Sequence, residues 1–205
     1  MSGTATQRTI TRRYERLSGV YDCYTQPMEW MGGARRRRRL LAGASGAVLE
    51  VGVGTGASLP QYPRSVGLVG LDIAAGMLTR TGRRARRAGR TVNLVQGDAH
   101  RLPFDDDTFD TTVAACVFCS VAEPVRGLAE LARVTRPEGR VLLLEHVRPR
   151  TPALGRLFDW LTPLTRRLFG PDINRPTEDN ARAAGLDLID VRAEGVWREI
   201  TARPE

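Results

Sequence analysis

The chain contains 205 residues, which is long enough for one domain with a substantial hydrophobic core. Hydrophobic residues make up 41% and charged residues 26%, a balance typical of globular proteins. The formal net charge is +8, and all 31 basic side chains are arginine. Because the chain has no lysine, Schiff-base chemistry, P-loop phosphate binding and lysine bases are excluded. With only two histidines, His100 and His146, we expect no metal site.

Cysteine usage and hydropathy predict a cytoplasmic protein. The three cysteines form no disulfide framework, and the first residues lack the pattern of a secretory signal. The longest apolar runs, such as residues 141–145, are too short to span a bilayer. Any membrane contact is therefore predicted to be peripheral, at the inner membrane face.

Two helices are predicted before the first strand. Residues 11–24 and 28–42 have helical patterns, with Pro27 between them and Gly43 at the end of the second. This segment of about 45 residues does not belong to the pattern that follows. We therefore predict that residues 1–45 form a helical lid.

From residue 47 onward, short apolar runs alternate with amphipathic runs of helical period. The runs typical of strands are 47–51, 67–72, 92–96, 111–115 and 141–146, and the helical runs are 77–88 and 125–135. Two last apolar runs, 186–191 and 196–201, predict an antiparallel hairpin. The sequence thus predicts an α/β, Rossmann-like fold: a seven-stranded, mostly parallel sheet with helices on both faces and a C-terminal antiparallel hairpin.

Glycines and carboxylates follow the predicted strands. Three alternating glycines, Gly52, Gly54 and Gly56, come directly after the first strand and let a ligand approach the main chain closely. Glu50, Asp72 and Asp98 stand at the ends of three consecutive strands, which meet at one edge of a parallel sheet. Carboxylates beside such a loop favour a cationic nucleotide ligand. The alternative is that these residues only cap helices, as Asp72 could do.

These residues belong to a series of motifs that resembles class I S-adenosylmethionine-dependent methyltransferases. The matching segments are 49–56, 70–73, 97–99, 102–104, 109–110, 133–134 and 136–142. The resemblance implies S-adenosylmethionine as the cofactor and S-adenosylhomocysteine as the product. The cofactor-binding residues that it implies are Glu50, Gly52, Gly54 and Gly56 at the methionine end, Asp72 followed by Ile73 at the ribose, Asp98 with Ala99 at the adenine, and Cys116 beside the sulfonium.

Further segments resemble one branch of that family. Residues 28–30, 54–63, 118–121, 145–148 and 174–177 are similar to bacterial methyltransferases related to phosphatidylethanolamine N-methyltransferases and small-thiol methyltransferases. This likeness implies transfer to N, S or O of a small or lipophilic acceptor, such as a phospholipid amine, a thiol or a quinol. We predict a single domain over residues 1–205, with a cofactor-binding core at 46–147 and with acceptor-side helices and closing strands at 148–205.

Methyl transfer from a sulfonium requires mainly proximity, alignment and exclusion of water. A base can help to present a neutral amine or a thiolate. Glu145 and His146, at the end of the fifth strand, are candidates for this catalytic role, and Tyr21 of the lid is a third. The alternative is structural: a satisfied histidine, and an ion pair between Glu145 and Arg148.

A cysteine pair, a run of arginines and the glycine spacing each suggest a further interpretation. The Cys116-x-x-Cys119 pair supplies too few ligands for zinc and is typical of inert core cysteines. The arginines at 35–39 suggest a nucleic-acid-directed protein, a solvated basic helix, or contact with an anionic membrane together with Trp30 and the apolar stretch 154–169. We expect no nucleic-acid partner, because aromatic residues are only 6% and no RNA-binding module is evident. A nicotinamide-dependent oxidoreductase is disfavoured by the glycine spacing and by Glu50.

Overall fold

A seven-stranded sheet organises the part of the chain that the computed structural model describes, namely residues 9, 11–12, 14–16, 18–147, 156 and 175–205. In chain order the strands are β1 (Ala47–Val51), β2 (Gly67–Asp72), β3 (Asn93–Gln96), β4 (Phe109–Ala115), β5 (Thr135–His146), β6 (Leu186–Glu194) and β7 (Trp197–Pro204). Across the sheet their order is β3-β2-β1-β4-β5-β7-β6.

The first five strands pair in parallel, and β7 runs antiparallel to both β5 and β6. The carboxyl ends of β1 to β5 therefore lie at one edge, where ligands bind in folds of this type. This arrangement confirms the predicted Rossmann-like sheet and its closing hairpin.

Helices cover both faces of the sheet. They are α1 (Tyr21–Met28), α2 (Ala34–Leu41), α3 (Ala75–Arg87), α4 (Pro124–Val134) and α5 (Thr177–Ala183). Leu41 of α2 and Ala85 of α3 share a buried cluster with Val48 of β1. Leu128 of α4 packs in the other cluster with Leu49 of β1. Because β1 is buried on both faces, its sequence is an uninterrupted apolar run apart from Glu50.

The N-terminal helices differ from the prediction. Pro27 lies inside α1 and does not separate two helices, so that prediction was wrong. The helical chain continues from α1 through a π-helical turn at Glu29–Gly33, where Gly32 has a φ of 103°. The single helix predicted at 11–24 was also wrong, because a turn at 18–20, which contains Gly19, interrupts it.

The observed strand boundaries differ most from the predicted ones at β5. The strand begins at Thr135, well before the predicted residue 141, and it pairs irregularly with β4 between Phe109 and Thr111. Its early residues include Pro137 and Gly139, which hide a strand from pattern analysis. The apolar stretch noted at 154–169 lies outside the described residues, apart from residue 156. Within the described ranges, none of the helices has the length and apolar character needed to cross a bilayer.

Candidate functional site

The loop after β1 is folded tightly at the carboxyl edge of the sheet. Gly52, Gly54 and Gly56 have φ values of 67°, 55° and 80°, a region that glycine adopts without strain. A Cβ on Gly52 would also lie 2.5 Å from Cγ2 of Val117. Glycine at this position therefore allows the loops after β1 and β4 to meet.

Asp72 joins this loop to the end of β2. Its Oδ2 accepts a hydrogen bond from the backbone N–H of Gly54 at 2.9 Å, and its Oδ1 accepts one from Ala74 at 2.9 Å. Burial raises the pKa of the carboxyl, and these backbone N–H groups oppose that shift. The aspartate thus holds the turn before α3 but is not the N-cap of that helix, which is Ala74, and it also lines a cavity.

A cavity of about 660 Å³ opens at this edge of the sheet. Among the residues predicted from the sequence, those that line it are Tyr21, Gly52, Gly54, Asp72, Ile73, Ala99 and Cys116. The structure therefore brings together residues that follow four different strands and one from α1.

A second cavity of about 530 Å³ shares Tyr21, Gly52, Gly54 and Cys116 with the first. Glu50 lines only this second cavity. The Tyr62 hydroxyl donates a hydrogen bond to Glu50 Oε2 at 3.1 Å. Burial raises the pKa of Glu50 to about 7, so a cationic ligand nearby would favour its ionised form.

An ion pair that the sequence analysis missed also lines the second cavity. Arg37 of α2 donates from Nη1 and Nη2 to the two carboxylate oxygens of Glu29, at 2.7 and 2.6 Å. Burial alone would lower the pKa of Arg37, but the hydrogen-bonded Glu29 outweighs it and the pKa is raised. The second cavity therefore contains both signs of charge, which suits a zwitterionic ligand end.

The N-terminal segment, meaning the described residues before β1, contributes Tyr14 and Tyr21 to the lining of the first cavity and is fixed to the loops around it. The hydroxyls of Tyr14 and Ser120 lie 2.7 Å apart, and both residues line the cavity. Glu15 Oε2 accepts a hydrogen bond from the N–H of Gly76 at 3.1 Å. Tyr21 is buried here, which raises the pKa of its phenol well above the usual range. Its hydroxyl therefore stays protonated at neutral pH.

One contact fixes α1 directly to the glycine loop. Thr55 donates from its hydroxyl to Asp22 Oδ1 at 2.5 Å, and Arg84 of α3 donates to Asp22 Oδ2 at 2.7 Å. No motif in the sequence indicates this contact, because the three residues lie far apart along the chain.

Glu145 and His146, two of the predicted bases, line neither cavity. Glu145 is fully buried, and its Oε1 accepts hydrogen bonds from the N–H groups of Val117 and Phe118, both at 2.9 Å. The His146 ring lies 3.8 Å from the Trp197 ring, between centroids. Burial lowers the pKa of His146 to about 4, so its imidazole is uncharged at neutral pH.

Gly56 and Asp98 also fall outside the linings of both cavities. Asp98 follows β3, between Gly97 and Ala99, which do line the first cavity. Its Oδ1 lies 2.8 Å from His100 Nδ1, and His100 Nε2 accepts a hydrogen bond from the N–H of Glu123. This second bond makes Nδ1 the protonated nitrogen, which then donates to Asp98.

Cys116 lies where the two cavities meet. It has a φ of 58°, an uncommon value for a residue with a side chain. Burial raises the pKa of its thiol well above the usual range and that of Cys119 to about 12, so neither is a thiolate at neutral pH. Among the described residues, no group of His, Cys, Asp and Glu side chains could hold a metal ion.

Comparison with known proteins identifies the family. A family model described as "Methyltransferase domain" matches residues 49–143. A phosphatidylethanolamine N-methyltransferase of Cereibacter sphaeroides is 44% identical over 139 residues, which cover 67% of this chain and 68% of that protein. A demethylmenaquinone methyltransferase of Renibacterium salmoninarum is 36% identical over 68% of this chain, and the match spans 60% of that relative's length, less than two thirds.

The fold agrees with these matches. A solved S-adenosylmethionine-dependent methyltransferase of Thermotoga maritima superposes with a TM-score of 0.73 at 19% identity, over 96% of this chain and 100% of that one. The sheet, the glycine loop and the two cavities define a nucleotide-binding α/β enzyme. The chain belongs to the class I S-adenosylmethionine-dependent methyltransferases, and S-adenosylmethionine is its cofactor. The nicotinamide-dependent alternative has no support from these comparisons.

The residues present fit this cofactor. The two cavities share Tyr21, Gly52, Gly54 and Cys116 in their linings, so they lie side by side as the two ends of one elongated ligand require. The second cavity carries Glu50 and the Glu29–Arg37 pair, which match an ammonium, a sulfonium and a carboxylate in charge.

Proposed function

We propose that the chain methylates the amine of a membrane phospholipid. The observation that carries this proposal is the 44% identity to the phosphatidylethanolamine N-methyltransferase over two thirds of both chains. Glu145 and His146 line neither cavity, and the carboxylates that do line the cavities are assigned to the cofactor below, so the acceptor amine would become nucleophilic by losing its proton to water. Tyr21 lines both cavities, and its phenol is a neutral hydrogen-bond donor. It can therefore orient an acceptor amine but is a poor base.

We further propose how the chain holds its cofactor. The first cavity takes the adenosine, with Asp72 and Ile73 at the ribose and Ala99 at the adenine. Asp98, held by His100, reaches the adenine amine from beside this cavity. The second cavity takes the amino-acid end, with Arg37 facing the carboxylate and Glu50 the positive charge, along the Gly52 to Gly56 loop.

Bound S-adenosylmethionine supplies an electrophilic methyl group on a sulfonium, which is a good leaving group. The chain's own contribution is alignment and exclusion of water. Cys116 and Tyr21 lie where the cavities meet and would flank the line of transfer. The N-terminal segment acts as a lid, which Tyr14, Glu15 and Asp22 hold over the cofactor.

The test is methyl transfer from radiolabelled S-adenosylmethionine to vesicles that contain phosphatidylethanolamine. Label is expected in mono- and dimethylated phosphatidylethanolamine, and not in vesicles of phosphatidylcholine alone. Asp72→Ala is the control with an impaired cofactor site. Unlabelled lipid from protein that binds S-adenosylhomocysteine would refute this acceptor.

A quinol is the second candidate, because several relatives are named as demethylmenaquinone methyltransferases and one of them is 36% identical. Another relative is named as a C-methyltransferase, so carbon joins N, S and O among the acceptor atoms to test. Demethylmenaquinol in the same vesicles separates the two candidates, since only one of the lipids would receive label. No comparison above favours a thiol.

A further inference from the structure

Two large apolar side chains project from the π turn between α1 and α2. Trp30 is 79% exposed and Met31 is 69% exposed, more than the other exposed large apolar residues that the structure describes. The turn that carries them is tightly packed on its inner side, because a Cβ on Gly33 would lie 2.9 Å from the Met28 carbonyl oxygen and 3.1 Å from the Trp197 ring. The backbone is thus fixed against the protein while its two side chains face outward.

The arginines that follow this turn divide into two groups. Arg36, Arg37 and Arg39 are paired with Glu194, Glu29 and Glu199 respectively, so they hold α2 to the rest of the protein. These pairs involve three of the five arginines at 35–39, so they leave Arg35 and Arg38 as the charges of this run that could meet a charged partner.

Arg35 and Arg38 form the second group. Arg35 is 75% exposed, and its guanidinium lies 3.8 Å from the Glu194 carboxylate. At that distance and exposure the ion pair is weak and solvated. Arg38 is exposed and has no ion pair within the described part of the chain. Arg35 and Arg38 are both exposed and lie three residues apart in α2, so they share one face of this helix. The exposed side chains of Trp30 and Met31, called the tip from here on, are thus followed along the chain by a positively charged helix face.

The tip also adjoins the active site. Met28 and Glu29, directly before Trp30, line the second cavity. A surface that contacts the tip therefore lies beside the cavities.

We propose that Trp30 and Met31 insert into an anionic lipid bilayer, with Arg35 and Arg38 on its headgroup phosphates. Trp is favoured at the bilayer interface, and arginines near it gain from the negative surface potential. This proposal deepens the proposed function, because it names the part of the chain that brings the cavities to a lipid acceptor. The charged face distinguishes a bilayer from a second copy of this chain, whose own +8 charge would oppose such a contact.

The test is co-sedimentation with vesicles of phosphatidylcholine, with and without phosphatidylglycerol. Neither lipid is a primary amine, and S-adenosylmethionine is omitted, so the result does not depend on methyl transfer. The wild-type chain is expected to bind the anionic vesicles and to lose binding in high salt. The double variant Trp30→Ser with Met31→Ser is expected to lose binding, whereas Ile189→Ser, which removes another exposed apolar residue on β6, retains it.

Charge reversal gives a second, independent comparison. Arg35→Glu with Arg38→Glu is expected to weaken binding at least about tenfold, since each basic residue near the surface contributes about 1 kcal/mol. Arg87→Glu with Arg140→Glu makes the same change at the end of α3 and at the residue of β5 that pairs with Thr111 near the start of β4, away from the carboxyl edge of the sheet, and should have a much smaller effect. Affinity for S-adenosylhomocysteine shows that each variant is folded.

Two outcomes would overturn the proposal. One is equal vesicle binding by the wild-type chain and the tip variant. The other is no vesicle binding by wild type, with a concentration-dependent dimer in light scattering that the tip variant abolishes; the tip would then be an interface between two copies. Methyl transfer to phosphatidylethanolamine dispersed in detergent requires no vesicle binding, so this added assay distinguishes failure of this proposal from failure of the proposed function.

Discussion

Glu145 accepts a hydrogen bond from the backbone N–H of Val117 at 2.9 Å, which ties the end of β5 to the loop after β4. The same oxygen accepts a second bond from Phe118. Cys116, Val117 and Ser120 of that loop line the first cavity. A residue that the sequence suggested as a base therefore lies behind the cavity and positions its wall.

Replacing Glu145 should test this positioning role. Glu145→Ala leaves two buried N–H groups without an acceptor, which we expect to lower the free energy of unfolding by roughly 2–5 kcal/mol. Glu145→Gln retains a carbonyl oxygen as acceptor and should lose less than half as much. Urea unfolding measures both, and calorimetry with S-adenosylhomocysteine should show weaker binding for the alanine variant. Equal stability of the two variants would contradict the role assigned to these hydrogen bonds.

The buried carboxyl of Glu145 also predicts a pH dependence of stability. Burial raises its pKa to about 7 from an ordinary value of 4.5. A group whose pKa is higher in the folded state stabilises the fold fully below the unfolded value, and this contribution is lost as pH rises through the folded value. Glu145→Gln should therefore gain up to roughly 3 kcal/mol relative to wild type as pH rises from about 4.5 to 7.

The stability of Glu145→Gln has to be compared with that of wild type at each pH, because His146 also makes a pH-dependent contribution to stability. Its pKa is lowered to about 4, so its contribution to stability is present above about 6.5 and is lost as pH falls. This trend opposes that of Glu145 in the total curve but cancels in the difference between wild type and Glu145→Gln. Urea unfolding at several pH values gives that difference, and a flat difference would show that Glu145 titrates normally.

The sheet and much of the lining of the first cavity were predictable because their signals are local. The apolar run of β1 follows from burial on both faces, and Gly52 and Asp72 sit at fixed distances from strand ends. The start of β5 was not predictable, because Pro137 and Gly139 are uncommon in strands and because this part of β5 pairs irregularly with β4.

Contacts between distant segments were also not predictable from the sequence. The role of Glu145 depends on the register of β5 against β4, in which Leu144 pairs with Ala115. The Glu29–Arg37 pair requires the π turn, which brings residues eight apart together where an ordinary helix favours three or four. Nothing in the local pattern of either segment indicates these partners.

Asp72 should be essential for binding the cofactor. Asp72→Ala removes the acceptor for Gly54 as well as the carboxylate that faces the cavity, so both the loop and the ligand lose a partner. We expect S-adenosylhomocysteine affinity to fall by at least about tenfold, the effect of losing a charge-assisted hydrogen bond. Asp72→Asn keeps one oxygen and should bind with intermediate affinity. Calorimetric titration checks the order, and unchanged affinity in the alanine variant would remove Asp72 from the site.

The contact between Asp22 and Arg84 should control how long the cofactor stays bound. Both side chains are partly exposed, so the ion pair contributes at most about 1 kcal/mol to stability. Asp22 nevertheless holds α1 to Thr55 in the glycine loop, over the cavities that we assign to the cofactor. Asp22→Ala should therefore leave the unfolding midpoint nearly unchanged and speed dissociation of S-adenosylhomocysteine several-fold, because opening of the segment becomes easier. Stopped-flow displacement measures this rate, with Asp187→Ala, which removes the Arg203 pair between β6 and β7, as the matched control. Identical dissociation rates in the two variants would mean that the Asp22 contact does not govern release.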